Sequence, residues 1–567
     1  MPIDYRLSKV VIRNFRGIES LELEFRQGFP SVLIGSNNAG KSTVMAAISM
    51  ALHGGDFYRY DVVETDFFHP AGGERVREFL VQVHFVADRE DGYPAIKGVG
   101  PLSVVHGVQV KGTMTKDGRM SHSRTLFDGA GATITYAPRT TLSADDKLAY
   151  KGRTNVNYAK VNGKLEDLYP DTPEVWSFKP QNIEASLYIW KTGPIAKLSK
   201  LMAERYLTDK WEYTAADGQA RPMPKAIRNA YGFFHGSVEA FPFWKDDMKP
   251  KLEKVFSKYV GRHAKIDLKP DTHLIEEWLA QKLAVSLATD PESVATPLRN
   301  MGDGWQSVIR LAALEALCEY PELVRDRIVL LLEEPETHLH PHLRRKVRKV
   351  LGALAAKGWT VVYTTHSPEM TSFEEKQVIT RLVRNNGVVA SKSVHTETID
   401  EPAKLQSKLD DNGAHDFLFG SAAVFCEGSD DTFGIKLGME KTDVDLDGRS
   451  VSVTNCGSCT AIPSFAYIAT ALGIRWIAIT DEDRLPDGSI KPVTERSRNQ
   501  IEEHRTATDA QCMWDGSLEA CLGVTLGKAK PEVTLERLDS ESWRADYPLF
   551  MDKLTVVAKW IDPAIEI

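Results

Sequence analysis

The residues Gly35-Ser36-Asn37-Asn38-Ala39-Gly40-Lys41-Ser42-Thr43 fit the pattern G-x-x-x-x-G-K-[ST]. Glycines at these positions let backbone N–H groups close around phosphate oxygens, and a helix that starts behind them adds the positive end of its dipole. Gly35, Asn37, Asn38, Gly40, Lys41, Ser42 and Thr43 therefore form a candidate cradle for a nucleoside triphosphate. Lys41 is expected on the β- and γ-phosphates and Ser42 on Mg²⁺. A chance glycine turn is the alternative. It does not account for the apolar strand Ser31–Ile34 before the loop or the helix-like run Val44–Leu52 after it.

Further acids sit where strands should end. The run from Arg327 to Leu332 is apolar and stops at Glu333-Glu334-Pro335-Glu336. A buried parallel strand delivers such groups to the carboxyl edge of its sheet, where ligands bind. Glu333 is expected to hold the Mg²⁺ water shell and Glu334 to polarise the attacking water. A second strand, Thr360–Thr364, leads to His366, which is expected to reach the γ-phosphate. Near the other end, Ala422–Cys426 stops at Glu427-Gly428, Ser450–Asn455 stops at Cys456-Gly457, and Arg475–Thr480 stops at Asp481-Glu482-Asp483. Carboxylates that converge in this way repel one another unless a cation lies between them. Oxygen ligands alone select Mg²⁺ or Mn²⁺. Two such ions about 4 Å apart would activate water and stabilise the leaving oxygen of a phosphodiester.

The elements that must position these groups follow from the rest of the chain. Its 567 residues leave room for about three or four domains. A composition of 42% hydrophobic and 26% charged residues is that of a globular protein. The net charge of −8 excludes a globally basic nucleic-acid coat, so contacts to DNA must come from local patches or bound cations. Candidate patches are Arg344-Arg345-Lys346-Val347-Arg348-Lys349 and the set Arg496, Arg498 and Arg505, each of which could equally be a solvated face. No stretch approaches the roughly 18 apolar residues of a membrane span, and with no charged-then-apolar pattern in Met1-Pro2-Ile3-Asp4-Tyr5-Arg6 no signal peptide is expected. With six cysteines in so long a chain, a cytoplasmic location is expected. Cys456 and Cys459 read as small residues in a glycine turn. A polar connector is expected from about Asn385 to Gly413.

Taken together, Val11-Ile12-Arg13-Asn14-Phe15-Arg16-Gly17-Ile18, the Lys41 loop, Glu334-Pro335-Glu336-Thr337-His338-Leu339-His340-Pro341 and Thr365-His366-Ser367 resemble the ABC-type ATPases of the OLD and RecF group. The C-terminal order of strand-Glu-Gly, strand-Gly and strand-Asp-x-Asp resembles the Toprim domain, and the whole is similar to the OLD-family endonucleases and to the nuclease subunit of the Gabija defence system. The resemblance implies an α/β chain: an ABC/RecF-like ATPase with an inserted dimerisation region, followed by a Rossmann-like Toprim domain. The implied limits are an ATPase N-terminal lobe over 1–150, the insert over 151–271, an ATPase C-terminal lobe over 272–400 and Toprim over 414–567. The insert is rich in tryptophan, including Trp176, Trp190, Trp211 and Trp244.

Further roles rest on the resemblance alone. Gly302, in Asn300-Met301-Gly302-Asp303-Gly304, stands where a partner subunit's signature segment would meet ATP. Asp431 and Glu519 match the extra acids of the OLD metal site, beside Glu427, Asp481 and Asp483. Lys530, with Lys528 as its rival, matches a lysine that stabilises the pentavalent phosphate. The first acid of the ATPase pair is normally Asp, and here it is Glu333, which points to slow hydrolysis with ATP acting as a switch. The expected whole is an ATP-binding, Mg²⁺- or Mn²⁺-dependent DNA endonuclease. It would work as a homodimer or higher homo-oligomer in anti-phage defence, alone or with a helicase-like partner. The rivals are a non-nucleolytic, RecF-like, ATP-gated DNA-binding or repair protein, and a topoisomerase.

Overall fold

A computed structural model describes residues 5–52, 62–87, 103–134, 240–260, 300–317, 328–385, 388–524 and 531–565, with short strand segments in the intervals. Along the chain the elements that position functional groups are β1 (Tyr5–Phe15), β2 (Ile18–Glu24), β3 (Ser31–Ile34), α1 (Lys41–Leu52), β4 (Glu78–Ala87), β5 (Gly107–Met114), β6 (Met120–Phe127), β7 (Glu174–Phe178), α2 (Asp303–Leu317), β8 (Ile328–Glu333), α3 (Pro341–Ala356) and β9 (Thr360–Thr364). They continue with β10 (Val378–Asn385), β11 (Val388–His395), β12 (Ala422–Cys426), α4 (Ser429–Lys441), β13 (Val451–Asn455), α5 (Ile462–Ala471), β14 (Arg475–Thr480), α6 (Pro492–His504), β15 (Ala510–Met513) and α7 (Pro548–Ile561). Among the described residues no helix is long and apolar enough to cross a membrane.

The chain divides into two compact units, the first holding residues 1–31, 40–370 and 385–389. In it, β1, β2, β4, β5 and β6 form an antiparallel sheet in the order β2-β1-β4-β5-β6. Alternation explains these strands: in β4, Phe79, Val81, Val83 and Phe85 are buried while the residues between them are not. The run Ile328–Leu332 has no polar face, and it becomes β8, buried on both sides between its parallel neighbours β7 and β9. α1 is apolar nearly all round and packs against β1, β4 and β5 as well as β7 and β8. Proline opens α3 at Pro341, and Gly358, at φ 99°, lies just beyond its end.

The second unit holds residues 32–39, 371–384 and 390–567. Its centre is a parallel sheet in the order β13-β12-β14-β15, with Cys426 in register with both Asn455 and Ile479. Parallel strands need crossover connections, and α4, α5 and α6 supply them in turn. One core packs Val424, Ile435, Val453, Ile477, Ile479, Phe550 and Leu554 around Trp514. The rings of Trp514 and Phe550 stack at 5.8 Å, a contact worth about 0.5–1.5 kcal/mol beyond its burial. Gly438 lets α4 and α7 approach, since a Cβ there would lie 2.6 Å from Leu554.

The strands ending at Glu427 and Asp481 lie where the sequence places them. The polar connector holds regular elements. Residues 388–395 form a strand and Pro402–Asn412 a helix closed by Gly413 at φ 60°. Their polarity hides them because each buries only a few positions, such as Val389, Val394, Leu405 and Leu409.

Candidate functional site

The loop after β3 is shaped by backbone sterics. Gly35 has φ 139°, and a Cβ on it would lie 2.3 Å from the carbonyl oxygen of Leu382, so no other residue fits. Asn38 and Gly40 also take positive φ, at 64° and 104°. Asn37 and Asn38 are exposed, while Lys41 is buried at the first position of α1. Ser42 Oγ donates to Glu333 Oε2 at 2.8 Å, so the two groups expected around Mg²⁺ meet directly. Thr43 lies beside them in the first turn of α1 and is half-buried.

Beyond β8 the chain turns sharply at Glu334, whose φ is 44°. Its N–H donates to the carbonyl of Thr364 at 3.1 Å, and its Oε1 lies 3.9 Å from His366 Nε2. Burial pulls the Lys41 ammonium below its ordinary pKa, and Glu334 acts against this. Burial also lowers His366, with Lys41 adding to the effect and Glu334 opposing it. Lys41, Glu334 and His366 thus sense one another's charge.

Sequence reasoning missed Glu336. It is 6% exposed, and its Oε1 accepts from Thr365 Oγ1 at 2.5 Å and from the His366 N–H at 3.2 Å. Burial pushes its carboxyl up. The signal was present in the third acid of Glu333-Glu334-Pro335-Glu336, but strand-end reasoning stopped at the second.

Gly302 precedes α2 and accepts from the N–H of Trp305 at 2.9 Å. A Cβ on Gly304 would lie 2.7 Å from the carbonyl oxygen of His338, which fits this segment closely to the loop after Glu336. Of the basic stretch on α3, Arg344 donates to the Leu339 carbonyl and Ser367, and the buried Arg348 donates to the Glu369 carbonyl, so both serve packing.

Two of the C-terminal acids, Glu427 and Asp481, meet at the carboxyl edge of the parallel sheet. Glu427 directly follows β12, Asp481 directly follows β14, and the N–H of Asp481 donates to Glu427 Oε1 at 2.8 Å. Asp431, in the first turn of α4, accepts from the Gly428 N–H at 3.1 Å and is buried. Glu519 lies in a short turn of helix behind the N-cap Ser517. Asp481 is pushed up to about 8, first by burial and then by Asp431, Glu427, Glu519 and Asp483 in that order. Burial raises Asp431 to about 7, with Glu427 and Glu519 adding to it. Burial also raises Glu427, against the bond from the Asp481 N–H. One carboxyl thus feels all four of the other acids that the sequence singles out, and its own Oδ1 is buried with no hydrogen-bond partner.

Asp483 behaves differently. It sits at φ 49°, and both its oxygens are engaged: Oδ1 by Lys491 Nζ at 2.6 Å and Oδ2 by Thr494 Oγ1 at 2.8 Å. The Lys491 bond holds its carboxyl below the usual range. Arg498 donates to the Asp481 carbonyl at 2.6 Å, so it braces the acidic edge from α6. Cys459 also faces the site: burial raises its thiol, and so do the charges of Glu427 and Asp483. Cys456 is buried, and neither cysteine is in a disulfide. Lys528 and Lys530 lie outside the described residues.

A divalent cation suits this donor set, because all five candidates are carboxylates and the most crowded one has a buried, unpartnered oxygen. The five are not closed into a ligand shell, however. Among the described residues no three His, Cys, Asp or Glu side chains are grouped as a metal site. Glu427, Asp431 and Asp483 each accept from a protein N–H or ammonium instead.

Comparison with known proteins gives several matches. The family model for the Toprim domain of overcoming-lysogenization-defect-like proteins matches residues 418–483. An AAA ATPase domain model matches residues 6–97, and a further AAA domain model matches 226–372. The chain is 22% identical over 536 residues to the Old nuclease of Escherichia phage P2, covering 89% of this chain and 80% of that protein. It is 28% identical over 249 residues to the OLD nuclease of Thermus scotoductus, covering 40% of this chain and 46% of that protein. The Smc head bound to the C-winged helix domain of ScpA is similar at a TM-score of 0.43 and 15% identity, over 69% of this chain and 98% of that one.

Proposed function

From the premise that this chain is homologous to the Old nuclease of phage P2 along most of its length, with ATPase domains ahead of an OLD-like Toprim domain, we propose that it is an ATP-binding, metal-dependent DNA endonuclease. The observation that carries the reading is the hydrogen bond that joins Glu427 to Asp481 at one sheet edge, where Oδ1 of Asp481 is buried with no hydrogen-bond partner. Such a site gains most from a divalent ion.

Glu427, Asp431, Asp481, Asp483 and Glu519 are the residues proposed to hold Mg²⁺ or Mn²⁺. Two such ions, when bound, supply an activated water and neutralise charge at the leaving oxygen. Glu427 also fixes the Asp481 backbone through its hydrogen bond, and Arg498 fixes the same segment from the other side. Lys530 is proposed to meet the phosphate. In the ATPase part, the loop from Gly35 to Thr43 takes the phosphates, Ser42 and Glu333 take Mg²⁺, Glu334 orients water and His366 meets the γ-phosphate. A second copy contributes the segment around Gly302, which makes the working form a homodimer or larger. Defence against phages, with or without a helicase-like partner, is the role that the family resemblance supports.

The test is a supercoiled plasmid incubated with Mg²⁺ or Mn²⁺, with and without ATP. Nicked or linear product that disappears in Glu427→Ala supports the nuclease. Unchanged DNA despite ATP turnover supports a RecF-like DNA-binding protein instead, and relaxed closed circles support a topoisomerase.

A further inference from the structure

The segment between Asp483 and α6 is a small hairpin. Arg484 bridges Ile490, the Leu485 N–H donates to the Ser489 carbonyl at 2.7 Å, and Asp487 caps the turn by accepting from the Ser489 N–H at 2.9 Å. Gly488 sits at φ 87°, the left-handed conformation the turn requires. The hairpin returns the chain so that the Lys491 N–H donates to the Asp483 carbonyl at 2.9 Å. The Lys491 ammonium thereby lands on Asp483 Oδ1, while Thr494, from the first turn of α6, takes Oδ2.

We propose that Lys491 is a built-in counter-ion for Asp483 which a divalent cation must displace, so that Lys491 sets how tightly the carboxylate edge takes its second ion. The inference rests on the reading of these acids as a metal centre. An ammonium and a metal ion compete for the same carboxylate oxygen. Asp481 keeps a buried oxygen with no partner, whereas both oxygens of Asp483 accept bonds. The edge therefore offers an ion one acid ready to coordinate and one held by an internal cation. Lys491 is half-exposed, so its pairing is weak enough for a dication to break and its freed ammonium can return to water. Lys491 is a positioning residue here, acting on the ion through Asp483.

The test is a titration of the nucleotide-free full chain with Mn²⁺, following free Mn²⁺ by electron paramagnetic resonance. Removing the competitor in Lys491→Met should tighten the weaker class of sites by about fivefold, the scale of a surface ion pair, and leave the tighter class unchanged. Lys491→Arg should bind like the wild type. The main-chain bond from residue 491 to Asp483 does not depend on the side chain, and Lys491→Gln provides a second uncharged variant. Equal or weaker Mn²⁺ binding in Lys491→Met and Lys491→Gln, with unfolding temperatures unchanged, overturns the inference while the metal centre stands. Mn²⁺ binding that persists undiminished in Asp481→Asn overturns the metal centre itself, and the inference with it.

Discussion

The backbone N–H of Asp481 donates to Oε1 of Glu427 at 2.8 Å, joining the ends of two adjacent parallel strands through a side chain. The bond uses one carboxylate oxygen for architecture and leaves the charge for chemistry. Glu427→Gln keeps an oxygen that can accept it, so the edge should stay folded. Losing the charge should cut metal-dependent plasmid cleavage by about a hundredfold or more, as when one member of a preorganised electrostatic set is removed. The check is nicking rate beside thermal unfolding. Wild-type cleavage in Glu427→Gln would sink the assignment.

The acids also make stability depend on pH. Burial holds Asp481 at about 8 and Asp431 at about 7, whereas an unfolded aspartate titrates near 4. Between those limits the folded chain keeps protons that the unfolded chain releases, so stability falls as pH rises through that window. Thermal unfolding in a chelator should therefore drop from about pH 5 to about pH 8. Saturating Mg²⁺ or Mn²⁺ should raise the unfolding temperature more at the upper end, and Asp481→Asn should flatten the slope. A flat profile in the wild type would contradict the crowding.

Much of this was legible in the residues themselves. The strands ending at Glu333, Glu427 and Asp481 were readable because unbroken apolar runs such as Ile328–Leu332 and Ala422–Cys426 admit a strand buried on both faces. The loop at Gly35–Thr43 was readable because its glycines do work that only glycine can do. Tertiary partners were hidden. Arg498, which resembles a backbone-tracking cation in sequence, spends a guanidinium N–H on the Asp481 carbonyl. Asp483 looked equivalent to Asp481, and only the hairpin that returns Lys491 separates them. The strand and helix inside the polar connector were hidden because each buries few side chains.

In the ATPase part, Glu334 stands 3.9 Å from His366, and its charge works against the burial that lowers both Lys41 and His366. Glu334→Gln preserves shape and removes the proposed base. ATP turnover should fall by about a hundredfold or more, the range for general-base catalysis, while binding of a fluorescent ATP analogue stays near the wild-type level. Lys41→Ala should instead abolish the binding. Equal losses of binding in both variants would show that Glu334 acts on affinity and not on the attacking water.

Glu336 offers the sharpest separation of support from chemistry. Its Oε1 receives both the Thr365 hydroxyl and the His366 N–H, while its buried Oε2 has no hydrogen-bond partner. Glu336→Ala takes the acceptor from the buried Thr365 hydroxyl and the part-buried His366 N–H, and should destabilise the unit by about 1–3 kcal/mol. Glu336→Gln supplies one acceptor oxygen of the same reach and removes a buried charge, so its stability should stay close to the wild type. If Glu336 works by fixing the backbone at His366, Glu336→Ala should lower the kcat for ATP by about tenfold or more, the scale of groups that orient a ligand from behind. KM should change little, and Glu336→Gln should restore kcat. A kcat equally low in both variants would mean that the charge itself is needed, and the positioning role would fall.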